Sequence, residues 1–364
     1  MRTILCGLLA AAALAAALAA GPAAAKDFLV AGAKPNKLVL IDLEARAVAK
    51  MLEIPGPGIA PGTIVPSPDG RVAYVVTNRL ESVSGIELAT GKEVFRADFS
   101  TADVRTKAMF AMDVSPDGKE LFVFQSPVRL GLGEYTVQDT RIAVFDTAAG
   151  VGAKPVRVLK APRRLVVFAF ARDGKSLWAL GWDLYRIDPA TGAILETHKV
   201  LNWDRANHSP PDVLDVWPQF EQAGVFSTPY FTARTDLPPD APGAFRTGML
   251  TLDLASGAMA MKDFEDTSVV IFSSVVNPQR RDEAYSVYTQ LSKIDLAKGE
   301  LVKRIELPHT YYAVNVSSDG RELYVGGTMC DIGVHATDSL DRLATITIPG
   351  CPDQGIASLR IVRQ

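Results

Sequence analysis

The sequence predicts an all-β fold: a seven-bladed β-propeller of four-stranded antiparallel blades, closed by pairing the C-terminal strand with the N-terminal blade. Three observations predict it. An aliphatic strand runs seven times into a polar hairpin turn, a second turn recurs ahead of these hairpins, and the two chain ends carry complementary parts of one blade.

In chain order, residues 1–25 read as a signal peptide. Arg2 supplies the charged start, an Ala/Leu run follows from Ile4 to Ala20, and Ala23-Ala24-Ala25 is a small-residue cleavage site. The run is short and Ala-rich for a membrane span. Cleavage after Ala25 is expected to leave a single propeller domain over 26–364 as an exported protein. Cys6 lies inside the signal and is assigned no role.

The hairpin turns are IDLEAR at Ile41, IELATG at Ile86, FDTAAG at Phe145, IDPATG at Ile187, LDLASG at Leu252, IDLAKG at Ile294 and HATDSL at His335. The acidic residue caps the turn, and Gly takes the positive φ that closes it. Successive anchors at Asp42, Glu87, Asp146, Asp188, Asp253, Asp295 and Ala336 are 45, 59, 42, 65, 42 and 41 residues apart. A base period near 42 suits a four-stranded blade, and the two long intervals are blades with insertions.

The second turn reads SPDG at Ser67 and Ser115, ARDG at Ala171 and SSDG at Ser317, with weaker forms at Glu221 and Asn277. Pro, Asp and Gly in that order suit a type I turn. Each blade therefore reads strand A, SPDG-type turn, strand B, loop, strand C, hairpin turn, strand D. The mature chain starts with FLVAG, KLVLIDL and AVAKMLEI, which are strands B, C and D without an A. It ends in IASLRIVRQ, a strand without a blade. Pairing the last strand with the first three closes the ring and removes both free edges.

In such a ring the A–B and C–D turns share one face, and the B–C and D–A loops share the other. The Gly-rich turns fall on the first. Both insertions, 125–140 and 233–247, join B to C and fall on the second. Function concentrates on long loops held by a rigid frame. The candidate partner and substrate-cavity residues on that face are Phe110, Arg129, Tyr135, Arg163, Arg164, Trp203, Phe245, His309, Tyr311 and Tyr312. Aromatic and Arg side chains are the types enriched at interfaces. Any one aromatic at a strand start is expected to pack between blades, so the expectation rests on the face as a whole.

Composition excludes several functions. The mature chain carries 41 Asp and Glu against 37 Lys and Arg, the total of 38 less Arg2, which argues against a nucleic-acid partner. No apolar stretch beyond the signal is long enough to span a membrane. The four His, at 198, 208, 309 and 335, lack metal-ligand spacing. There is no HExxH, CxxC, CxxCH, DxDxDG or GxSxG. His309 is read as a loop histidine with a structural hydrogen bond ahead of a proton shuttle. No catalytic, cofactor-binding or metal-ligating residue is assigned to this chain.

Cys330 opens strand C of the last blade and Cys351 follows strand D. About a hairpin centred near Ser339 and Leu340 they lie two residues off direct register. A disulfide is expected, worth ~3 kcal/mol for a loop of this length. The alternative is two free thiols.

Longer stretches are more specific than the turns. SPVRL from Ser126, ARDGKSLWALGWDLYRIDP from Ala171, TPYFTARTDLPPDAPGAFRTGMLTLDL from Thr228 and LPHTYYAVNVSSDG from Leu307 are similar to the β subunit of quinohemoprotein amine dehydrogenase. The resemblance runs in order over essentially the whole mature chain. It implies a periplasmic heterotrimer that oxidises primary amines to aldehyde and ammonia. Cysteine tryptophylquinone belongs to a small subunit and the c-type haems to a dihaem cytochrome c subunit. The resemblance further implies that the propeller holds the small subunit and helps wall the substrate cavity. Two rivals remain: a PQQ-type propeller, whose repeat IELATGKEVF and IDPATGAILE resemble but whose docking Trp is replaced near Phe95 and Glu196, and a stand-alone lactonase-like propeller.

Overall fold

The computed structural model describes residues 26–364 apart from positions 57, 59, 109, 214–217, 268 and 356–357, so the signal peptide expected over 1–25 lies outside the described residues. Seven antiparallel sheets follow one another along the chain. Blade 1 comprises Asp27–Ala33, Lys37–Asp42 and Ala47–Glu53, and its innermost strand is the C-terminal Arg360–Arg363. Phe28 pairs with Val362 and Leu29 with Ile361, which is the closure read from the chain ends.

Blade 2 runs through Ile64–Pro66, Val72–Thr77, Ser82–Glu87 and Glu93–Asp98. Blade 3 uses Met112–Val114, Glu120–Leu130, Arg141–Asp146 and Arg157–Lys160; blade 4 uses Val167–Phe170, Leu177–Leu180, Leu184–Ile187 and Ile194–His198. Blade 5 is Asp212–Val213, Val225–Ala233, Phe245–Asp253 and Met259–Glu265. Blade 6 is Ser273–Val276, Glu283–Val287, Gln290–Asp295 and Glu300–Glu306, and blade 7 is Ala313–Val316, Glu322–Gly326, Asp331–Ala336 and Arg342–Thr347.

The core is divided in the same way. Seven apolar clusters of described residues occupy the seven interfaces between neighbouring blades. The interface between blades 7 and 1 joins Tyr324, Ile332 and Ile346 to Leu29, Val39 and Ile361, so the closing strand is buried on both sides. No helix among the described residues is long and apolar enough to cross a membrane.

The turns obey one device. Asp188 accepts the amide hydrogens of Ala190 and Thr191, Asp253 those of Ala255 and Ser256, and Asp295 that of Lys298. Gly192, Gly257 and Gly299 then take φ of 76°, 74° and 72° and donate back to the Asp carbonyl. In blades 4 and 6 a register shift sits beside the turn, at Arg186/Ile187 and Lys293/Ile294, as a turn closed by a left-handed residue produces; in blade 5 the shift lies at the other end of the pair, at Thr247/Gly248. The HATDSL turn has no Gly, and Leu340 adopts φ 61° in its place.

The two insertions differ from irregular loops. Strand B of blade 3 continues past its partner strand C as Ser126–Leu130, about 16 Å of extra strand. Tyr135–Val137 and Val104–Lys107 pair on either side of that extension, making a projecting three-stranded tower. Residues 104–107, within the connection from strand D of blade 2 to strand A of blade 3, are therefore strand. In blade 5 the strands continue in register to Ala233 and Phe245, leaving only 234–244 as loop.

Cys330 and Cys351 are bridged, with Cα atoms 4.8 Å apart. The register puts Asp331 opposite Thr347. Gly350 at φ 78° and Cys351 at φ 48° then bring the chain back to Cys330.

Candidate functional site

The loop face presents each expected residue in a different way, spread over four blades. On blade 3, Arg129 pairs through its backbone with Thr136 and Val104, and its side chain is exposed. Tyr135 is 76% exposed, and Phe110 is half-buried. On blade 4, Arg163 and Arg164 form an exposed turn, with Arg164 at φ 67°. The Arg164 guanidinium lies 5.2 Å from the ring centre of Trp182, itself in the three-residue turn between strands B and C.

Blade 5 is tied down from beneath. Arg205 donates two hydrogen bonds to Asp263, at 2.7 and 2.5 Å, and the Tyr230 hydroxyl donates a third at 2.5 Å. Burial works to raise the Asp263 carboxyl, but the bonds from Arg205 and Tyr230 outweigh it and hold it below the usual carboxylate range. Burial and the Asp263 carboxylate push the Tyr230 phenol up. Trp203 packs edge-on to Tyr230, and its indole N–H donates to the Ser209 carbonyl. Trp203 is thus a packing residue that positions its loop. Phe245, at the edge of the long hairpin, is exposed.

Blade 7 separates two adjacent tyrosines. Tyr311 is fully buried and donates to Asp331 Oδ2 at 2.7 Å, while His309 Nε2 meets Oδ1 at 2.9 Å. Burial and this carboxylate raise the Tyr311 phenol. His309 Nδ1 faces the Thr310 carbonyl at 2.8 Å, so both ring nitrogens are taken up within the chain. This is the structural role read for His309. Tyr311 does not reach the surface on which the sequence placed it, because the alternation of an extended segment turns it inward and its neighbour outward. Tyr312 instead stacks with Phe272 and Tyr288, whose ring centres are 4.9 and 6.2 Å away, beside a cavity of about 600 Å³ lined by Lys34, Met329 and the disulfide.

The organising residues Trp182, Asp263, Asp331, Phe272 and Tyr288 were not singled out in the sequence. Trp182 had a local signal, an aromatic in a GWD turn. Asp263 and Asp331 had none, since they lie in strands and act on residues far along the chain. Among the described residues no group of three or more His, Cys, Asp or Glu is placed to hold a metal ion.

The opposite face also holds a feature that its regular turns did not announce. Around the axis, the second residues of six A–B turns, Pro68, Pro116, Arg172, Gln222, Pro278 and Ser318, rim a cavity of about 590 Å³. Asp113 lines it, accepts the amide hydrogens of Val114 and Phe170, and is raised by burial to about 6. Bonds between non-adjacent blades cross the axis. Asn315 of blade 7 donates to the Gln219 side chain, and Arg360 of blade 1 donates to the Pro218 carbonyl and pairs with Glu221.

No family model matches the sequence, and no curated protein matches it. Solved structures do share the fold. The chain is similar to Kuenenia stuttgartiensis hydrazine synthase, at 16% identity and a TM-score of 0.59, covering 84% of this chain and 90% of that one. It is similar to apo AztD from Citrobacter koseri, at 14% and 0.52, covering 93% and 98%. It is also similar to the β-propeller domain of Cps50 (Swd1) from Myceliophteria thermophila, at 15% and 0.56, covering 82% and 88%. These likenesses establish the seven-bladed propeller.

Proposed function

We propose that this chain is the non-redox propeller subunit of a periplasmic quinohemoprotein amine dehydrogenase. The observation that carries the reading is where the four family-like stretches fall. SPVRL is the tower strand of blade 3, the stretch from Ala171 holds the Trp182 turn, that from Thr228 is the long hairpin of blade 5, and that from Leu307 holds Tyr312. All four include loop-face departures from the repeat, and only two include the generic A–B turn.

In this role the quinone of the small subunit supplies the oxidising chemistry, and electrons leave through the haems of the cytochrome subunit. This chain contributes shape. Seven interlocked blades hold the loop face rigid, and the stack of Phe272, Tyr288 and Tyr312 offers an apolar wall that excludes water from a bound amine. The Cys330–Cys351 bridge fits an oxidising compartment such as the periplasm.

The test is recovery of the tagged chain from its native periplasm. A dihaem cytochrome, seen by haem absorbance, and a quinone-stained small subunit are expected in the same fraction. A colourless, solitary chain overturns the assignment, as does turnover by the purified chain with PQQ and calcium alone.

A further inference from the structure

Exposed large apolar side chains are distributed unevenly around the ring. Of fourteen among the described residues, nine lie between Leu132 and Leu195, so two blades of seven hold nearly two-thirds of them. Blade 2 holds none. Isolated exposed apolar residues are ordinary, whereas a concentration marks a binding surface.

Eight of the nine occupy two surfaces. Leu132, Tyr135 and Val137 crown the blade 3 tower, and Trp182 lies on the loop face of blade 4. Val156 and Val158, with Ile194 and Leu195, lie on the outer side, on or beside strand D of blades 3 and 4, while Val151 sits in the C–D connection of blade 3 and bridges Arg96 of blade 2. Those strands are free sheet edges, which proteins normally blunt with charge. In blade 6 the equivalent strand, ELVKRIE, exposes Val302 beside Lys303 and Glu300. In blade 4 the strand begins with the exposed pair Ile194-Leu195.

Charge distinguishes this region too. Arg129 and Arg163 are exposed and make no hydrogen bond or ion pair with a described residue, and the exposed Arg164 guanidinium lies over the Trp182 ring. Lys160, at the loop-face end of strand D, is exposed as well. The exposed carboxylates nearby on the tower, Asp103, Glu134 and Asp139, are fewer than the four cations Arg129, Lys160, Arg163 and Arg164 and leave the balance positive on a chain that is acidic as a whole.

We infer that blades 3 and 4 are the docking surface for a protein partner that grips them from two sides, over the tower and down the outer edge. The partner presents a concave apolar surface and sets carboxylates against Arg129, Arg163 and Arg164. A planar bilayer meets the loop face or the outer edge but not both, which favours a protein over a lipid surface. The inference rests on the subunit role proposed above and names where in the ring one partner subunit is held, on the side away from the aromatic stack of blades 6 and 7.

The test uses the tagged full-length chain in its native complex, with recovered subunits identified by mass and haem absorbance. Three variants probe the surface: Tyr135→Ser with Val137→Ser, Leu195→Lys, and Arg163→Glu with Arg164→Glu. Val302→Lys, on the equivalent strand of blade 6, is the control. All positions are exposed, and thermal melts check that the ring is intact. Each of the three is expected to lower partner recovery about tenfold or more, the scale of an interface hot spot, with the control at the wild-type level. The charge reversal should lose most at low salt, where attraction between charges is least screened.

Wild-type recovery for all three variants overturns the docking surface and leaves the subunit role standing. Equal loss from Val302→Lys and Leu195→Lys overturns it as well. A wild-type chain that recovers no haem- or quinone-bearing subunit overturns both readings. Binding of phosphatidylglycerol vesicles that the same variants abolish replaces the protein partner with a membrane.

Discussion

The two faces of the ring are made by the same repeat, yet they are built on opposite principles. On the turn face one device recurs: an Asp accepting amides two or three residues on, then a residue at positive φ. On the loop face the connections of blades 3, 4, 5 and 7 are built differently from one another. Blade 3 raises a tower, blade 4 offers a three-residue turn, blade 5 anchors its loop on Asp263, and blade 7 buries one tyrosine while stacking the next. A repeated device is what ring closure needs; an unrepeated surface is what recognition needs. On the proposed reading, scaffolding falls to the first face and binding to the second.

Both faces depend on closure, so the largest expected effect strikes them together. Deleting 360–364 removes the innermost strand of blade 1 and opens the clusters that hold Leu29, Val30 and Val362. The cooperative thermal transition is expected to be lost. Retention of a sharp transition breaks the picture of a closed ring.

Within the loop face, Asp263→Ala should destabilise the chain by about 3–5 kcal/mol, because it leaves the Arg205 guanidinium and the Tyr230 hydroxyl without their acceptor in a part-buried site. Denaturant melts measure it. A cost below about 1 kcal/mol would mean the blade 5 loop is not held from beneath.

The axis sharpens the comparison through pH. The Asp113 carboxyl is raised to about 6, so its contribution is fully present below the unfolded value near 3.8 and is lost as pH rises through 6. The loss is about 3 kcal/mol at 1.36 kcal/mol per unit. Asp113→Asn should flatten that slope between pH 4 and 7, whereas an unchanged slope assigns it to other groups.

The turn face has the opposite sign. Burial would raise Asp253, but the amide and hydroxyl of Ser256, the Arg281 guanidinium and the Ala255 amide outweigh it and bring the group to about 2. Its stabilisation is present above about 3.8 and is lost as pH falls toward 2. Asp253→Ala should cost about 1 kcal/mol at neutral pH, as capping residues do, and leave partner recovery unchanged. Lost recovery from this change would blur the division between the faces.

The ring was legible because its closures are local. An Asp and a Gly four residues apart declare a hairpin without reference to anything distant, and the chain ends declared the closing strand. Leu340 shows the limit, since nothing in HATDSL marks which residue takes positive φ. The loop face was legible as a region through its insertions, but its side chains were not. Tyr311 and Tyr312 are indistinguishable in sequence and face opposite ways. The hubs Asp263 and Asp331 lie 58 and 20 residues from Arg205 and Tyr311, which they anchor. The cross-axis bonds of Asn315 and Arg360 are likewise tertiary facts, as is the axial cavity they underlie.

The division of labour is tested most directly by hydrogen exchange on the chain alone and within the complex proposed for it. Protection on assembly is expected in peptides covering 126–140, 161–166 and 181–184 of the loop face, with the A–B turns at 67–70, 115–118 and 317–320 unchanged. Protection of those turns, with the loop peptides exchanging as they do in the free chain, would contradict the account.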